Sequence, residues 1–238
     1  MAHHQAQQGR RSLTAAGRLA IPQCQPPIPA STPSRSRLSP GTDPFKGPIE
    51  MISFTTHNFE TASEDAQPLL NAAKSAYGFV PNLLGTMAEA PALLEGYMTL
   101  AGIFDKTDLS ETERQIILMT NNRLNGCHYC MAAHTSISQG AGVPGDIIEA
   151  LRTDTPIGDP KLEALRTFAA VINETRGWPE TSDIEAFLGA GYTRKNILEV
   201  ILGTALKVLS NYTNHLAATE LDGAFAPNAW SADLVNIG

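Results

Sequence analysis

The chain has 238 residues, 42% of them hydrophobic, a net charge of −7 and three cysteines. That is enough chain to bury a core unaided, and an odd, small number of cysteines argues against a disulfide scaffold, so a reducing compartment, the cytoplasm, is expected. Six basic and two acidic residues precede Met51; the remaining eleven basic and twenty-two acidic residues give the rest of the chain a net charge of −11, a poor match for nucleic acid or an anionic membrane.

Residues 1–50 are rich in Pro, Ser, Ala, Gln and Arg and show no apolar periodicity. Such a segment buries too little surface to offset its ordering entropy, so disorder is expected. Its character is that of a leader or a mis-assigned start, with an organelle transit peptide as the alternative. Cys24 falls in this tail and is incidental.

Residues 51–238 read as one all-α domain, a compact helical bundle, with no run of about 18 apolar residues to suggest a membrane span. Ser63 to Ala76 carries Ala66, Leu69, Leu70 and Ala73 at helical spacing. Pro81 opens a short helix over Asn82 to Ala88, and Pro91 another to about Phe104. Ser110-Glu111-Thr112-Glu113 is a capping box that starts a helix running to about Leu124. Asn125-Gly126 ends it, since both residues tolerate the left-handed conformation. The next helix is expected from Cys127 to about Gln139, closed by Gly140.

Pro144 begins a helix to Leu151, and Asp159-Pro160 caps one that runs to about Glu174. Thr181 or Ser182 starts another, ending near Gly189. Thr193 caps the last and longest, apolar on nearly every side through Ile197, Leu198, Val200, Ile201, Leu202, Leu206, Val208 and Leu209. Such a helix is central or buried between subunits. The polar run Asn211-Tyr212-Thr213-Asn214-His215 is expected to end it and to form buried hydrogen bonds.

The chemistry concentrates in Asn125-Gly126-Cys127-His128-Tyr129-Cys130-Met131-Ala132-Ala133-His134. On a helix, Cys127, Cys130 and His134 share one face. A helix start also favours the thiolate form of a cysteine. Regular helical geometry keeps i and i+3 Cβ atoms about 5–6 Å apart, whereas a disulfide needs about 3.8 Å. Oxidation therefore requires Cys127 to leave the helix. His134 is placed to take or stabilise the Cys130 proton, and Glu111 or Glu113 is the local carboxylate that could orient it; Glu113 also suits the third position of the capping box. His128 either tunes the thiols or is a solvated helix-start residue. Haem attachment fails because Met131 follows the second cysteine, and no second Cys pair completes a zinc site, so neither metal nor organic cofactor is expected.

The run from Leu109-Ser110-Glu111-Thr112-Glu113-Arg114 through the Cys-x-x-Cys-x-x-x-His helix resembles the carboxymuconolactone decarboxylase-like superfamily, in its alkylhydroperoxidase D branch. The resemblance covers roughly Met51 to Phe225 and implies an all-helical homo-oligomer with a thiol peroxidase cycle. By that analogy Cys130 is the peroxidatic thiol, Cys127 resolves its sulfenic acid as a disulfide, and His134 belongs to a proton relay. An external dithiol, lipoyl or thioredoxin-like, then reduces the disulfide. The relay glutamate of that branch stands twelve residues before the first cysteine, and here that position is Gln115, which leaves Glu113 as the local substitute. Tyr129 stands where the branch has a histidine. A redox sensor that uses the same disulfide, or a decarboxylase that does not need it, are the alternatives.

Overall fold

The structure, a computed structural model, describes residues 53–231. The expected tail over residues 1–50 lies outside them. Among the described residues nine α-helices occur in order: α1 (Gln67–Tyr77), α2 (Asn82–Met87), α3 (Pro91–Phe104), α4 (Glu111–Leu124), α5 (His128–Gly140), α6 (Gly145–Thr153), α7 (Pro160–Glu174), α8 (Thr181–Gly189) and α9 (Arg194–Ala217). The same residues include no strand.

Local chemistry sets most of these boundaries. Ser110 Oγ accepts from Glu113 N while Glu113 Oε2 accepts from Ser110 N, closing the expected box at α4. Asp159 caps α7 with Pro160 in its first turn, and Thr193 and Asn196 form the corresponding box at α9. Not every expected boundary holds. α1 begins at Gln67 rather than Ser63, because Pro68 sits in the first helical turn and the residues before it form turns. α8 runs from Thr181 to Gly189 as expected, with Glu180 at its N-cap donating its backbone N–H to the Asp183 carboxylate at 2.9 Å. The shift that matters to the thiols is at α5, which begins one residue late. Gly126 takes φ 65° and leaves Cys127 extended, at φ −83° and ψ 95°, as the N-cap.

Helix α4 is the hub, packed against α5, α6, α7 and α9. One core, built on Ile116, Ile117, Met119, Met131, Leu165 and Leu206, includes a stack of Phe168, Phe187 and Tyr192 with ring centroids 4.3 and 4.5 Å apart. A second core lies under α1, α2 and α3, where Leu70, Leu84, Met87 and Leu94 pack around both cysteines. Helix α9 passes Asn211–His215 without ending, contrary to the expected termination there, and continues to Ala217; Asn211 and Asn214 are buried, as expected. After α9 the chain folds back over α5. Asp222 accepts from Tyr129 Oη at 2.5 Å, Phe225 packs edge-on to Tyr129, and Trp230 packs edge-on to His128.

Candidate active site

The α4–α5 turn and the middle of α9 build the site between them. Cys127 and Cys130 are free thiols, 1% and 2% exposed. Asn214 Nδ2 donates to Cys130 Sγ at 3.1 Å and approaches Cys127 Sγ at 3.7 Å, so one amide joins the two sulfurs to α9. The Cys127 sulfur that the helical spacing would have pulled out of the helix already lies at its rim.

A cavity of about 490 Å³ opens onto this point. Cys130 lines it and Cys127 does not; Gln115, His134, Lys207, Tyr97 and Phe225 form much of the remaining wall. Lys207 is 1% exposed, and its Nζ donates to His134 Nε2 at 2.9 Å. His134 Nδ1 in turn donates to Gln115 Oε1 at 2.9 Å, and Gln115 Nε2 donates to Glu111 Oε1 at 2.8 Å. Arg114 closes the chain by donating to Glu111 Oε2. These directions agree only if the imidazole is neutral with its proton on Nδ1.

The electrostatics follow. Burial, then the Lys207 charge, holds the His134 pKa well below its ordinary 6.5. Burial pushes the Cys130 thiol up, but the hydrogen bond from Cys127, the charge of Lys207 and bonds from Asn211 and Ser210 outweigh it and bring the thiol well down. Cys127 moves the other way, raised first by that shared hydrogen bond and then by burial. The two sulfurs are therefore unlike: Cys130, facing the cavity, is shifted toward the thiolate and Cys127, behind it, toward the thiol.

The expected residues are not all brought together. Cys127, Cys130 and His134 gather here, although both ring nitrogens of His134 are engaged elsewhere and neither bonds Cys130. Glu113 does not join them. Its carboxylate accepts from the Ser110 cap, from Tyr192 Oη at 3.0 Å and from Lys161 at 3.4 Å, which leaves Glu111 as the carboxylate of the chain. His128 points away, with Nδ1 bonded to the Trp230 carbonyl. Two participants are not evident from the sequence pattern. Lys207 has one signal, a lone cation inside the apolar run of α9; Asp222, which holds Tyr129, has none. Among the described residues no three His, Cys, Asp or Glu side chains are grouped to hold a metal.

Residues 89–171, from just before α3 through most of α7, match the model of the carboxymuconolactone decarboxylase family. No curated protein matches the chain. Among solved structures, the alkylhydroperoxidase AhpD core of a peroxidase-related protein from Ralstonia eutropha JMP134 is similar at a TM-score of 0.65 and 21% identity, covering 72% of this chain and 93% of that one. A peroxidase-related protein from Silicibacter sp. TM1040 gives 0.62 and 19%, over 75% and 97%. A Cys-to-Ala variant of the debrominase Bmp8 in complex with 2,3,4-tribromopyrrole gives 0.64 and 16%, over 79% and 99%. At these identities the likeness is one of fold.

Proposed function

From a chain that carries a carboxymuconolactone decarboxylase family region on an alkylhydroperoxidase D-like fold, we propose a thiol peroxidase that uses no metal or organic cofactor. The observation that carries this reading is the asymmetry of the thiol pair: Cys130 alone opens on the cavity, and Lys207, Asn214 and the Cys127 thiol all stabilise its anion. The Cys130 thiolate attacks the terminal oxygen of a hydroperoxide, the O–O bond breaks, and the departing alkoxide takes a proton from the Lys207–His134 pair. Cys130 is left as a sulfenic acid. The Cys127 sulfur then displaces hydroxide from it, which leaves as water with the Cys127 proton, and the Cys127–Cys130 bond forms. An external dithiol, lipoyl or thioredoxin-like, restores both thiols and becomes a disulfide itself. The cytoplasm would keep such a donor reduced.

In this scheme Gln115 and Glu111 fix the imidazole tautomer and pass no proton. The amide presents its oxygen to Nδ1–H, so Nε2 keeps its lone pair for the Lys207 ammonium.

One turnover of pre-reduced protein tests the scheme. Two thiols per chain are expected to disappear for each peroxide consumed, Cys130→Ser to abolish consumption, and Cys127→Ser to consume one peroxide and stop at the sulfenic acid. Unchanged consumption by Cys130→Ser would overturn it.

The aromatic lining of the cavity, Tyr77, Tyr97, Phe104 and Phe225, supports a second reading shared with the debrominase neighbour. There the same two thiols would supply the electrons that replace ring bromine by hydrogen, forming the disulfide and releasing bromide. Bromide release from a bromopyrrole, with peroxide left unconsumed, would select that reading.

A further inference from the structure

Behind the thiols, Asn121, Asn122, Asn125, Asn173 and Asn211 are hydrogen-bonded to one another across α4, α7 and α9. Asn121, Asn122 and Asn211 are fully buried. Asparagine is a weak helix former, because its side chain competes for backbone groups. A buried amide is tolerated where its ends find partners.

The direction of these bonds is forced from both ends. A backbone carbonyl only accepts. Cys130 O therefore takes Asn122 Nδ2, at 3.3 Å, which turns Asn122 Oδ1 toward α9. Asn211 meets that oxygen with Nδ2 at 3.0 Å, so its own Oδ1 faces Asn125 Nδ2 at 2.8 Å. Asn125 Oδ1 is left to accept from Asn173 Nδ2 at 3.1 Å. From the far end, Ile117 O takes Asn121 Nδ2 at 2.8 Å, and Asn121 Oδ1 also accepts from Asn173 Nδ2, at 2.8 Å. The two constraints agree. Asn173, Asn125, Asn211 and Asn122 all donate in the direction of Cys130, and aligned donors in a buried chain strengthen one another.

The chain reaches the thiol pair in two places. Asn122 holds the Cys130 carbonyl with its side chain and accepts from Cys127 N with its own carbonyl at 2.9 Å, so one residue clasps both cysteines. Asn211 Nδ2 carries a second hydrogen, and a bond from Asn211 helps to bring the Cys130 thiol down. Turning the Asn211 amide over would set its oxygen against Asn122 Oδ1 and against the sulfur at once. Lys207, Asn211 and Asn214 follow one another at spacings of four and three residues, so a single face of α9 presents a cation and two amides to the site.

We propose that Asn211 and Asn122 are positioning residues for the thiol chemistry, and that the chain from Asn173 through Asn125 keeps the N–H side of Asn211, rather than its carbonyl, on the Cys130 sulfur. The assignment rests on the peroxidase reading for what the thiolate attacks, not for how it is held.

Iodoacetamide labelling of Cys130 across pH, on the full reduced chain, tests this. Asn211→Leu keeps the branched shape and removes the donor; its labelling midpoint is expected about one to two pH units above that of the wild type. Asn125→Leu removes the bond to Asn211 without removing any bond to sulfur, frees the Asn211 amide to turn over, and is expected to raise the midpoint by a smaller step. The other titratable groups around the sulfur, Cys127, Tyr129 and His134 at α5, Lys207 on α9 and Tyr97 on α3, stay in place in both variants. A packing role alone would lower the urea midpoint of both variants and leave the labelling midpoint of the folded protein where it is; an unmoved midpoint in folded Asn211→Leu overturns the proposal. Should Asn211→Leu lose its circular dichroism, Asn125→Leu decides, and an unmoved midpoint there overturns it. Peroxide consumption is read separately. Midpoints that move in a protein that consumes no peroxide uphold the positioning role and remove the peroxidase reading, and the converse result does the reverse.

Discussion

Lys207 is 1% exposed and has a neutral imidazole as its hydrogen-bond partner. Burying an ion costs several kcal/mol unless an opposite charge is near. The Cys130 thiolate is that charge, and Lys207 in turn lowers the thiol's pKa. Replacing Lys207 by Met keeps the stem and removes the charge. The Cys130 thiol pKa then rises, and the pH midpoint of its alkylation rises with it; the rate at neutral pH falls, by about tenfold per further unit, only once that midpoint passes neutrality. Iodoacetamide labelling across pH reads this directly; an unmoved midpoint would separate Lys207 from the thiol. The same logic explains why an amide at position 115 suits this site. A carboxylate there would favour a protonated His134, which would repel Lys207 from its acceptor.

At the scale of the helix, α9 approaches α3 and α4 only because residue 203 has no side chain. A Cβ at Gly203 would stand 2.7 Å from Ile117 Cγ2 and 2.9 Å from Phe104 Cζ. Gly203→Ala is therefore expected to destabilise by about 1–3 kcal/mol, seen as a lower midpoint in urea, despite the better helix propensity of alanine. The elements themselves are largely legible in the sequence, because capping boxes at Ser110 and Thr193 and the Asp159-Pro160 start act over three or four residues. Helical spacing alone already favours Glu111 over Glu113 for the site. Glu111 and Gln115 stand four apart on one face of α4, while Glu113 lies on the other side. Lys207–His134 and Asp222–Tyr129 contacts span 73 and 93 residues, and no local pattern encodes them. The extended Cys127 is hidden for a different reason. It depends on which of Asn125 and Gly126 turns left-handed, and both are able to; Gly126 does, leaving Asn125 free to donate to Asn211.

For the whole molecule, the buried neutral imidazole gives stability a pH dependence. His134 is held well below 6.5 by burial and by Lys207. Below 6.5 the unfolded chain binds a proton there that the folded chain refuses, so the contribution of this ring is full above that pH and falls below it, by at most about 1.4 kcal/mol per pH unit. Against the cost of burial, hydrogen bonds hold Glu111, Glu113 and Glu163 below 4.5; their contribution is present above 4.5 and fades only in stronger acid. Urea midpoints between pH 7.5 and 4.5 are expected to fall more steeply below about pH 6.5 than above it, where the lowered Cys130 thiol already contributes, and to lose that extra slope in His134→Gln. A wild type without that extra slope would contradict the neutral, buried ring.

The fold-back of residues 219–230 over α5 bears on how the protein is made. Cys130 leaves the ribosome well before the lysine that charges it, the asparagine that holds it and the phenylalanine that walls its cavity. Until α9 is made, the nascent chain holds Cys127 and Cys130 without the charge and the amide that distinguish them. The difference between them, and with it the risk and the usefulness of a reactive sulfur, arises only on completion of α9 and of the segment that closes behind it.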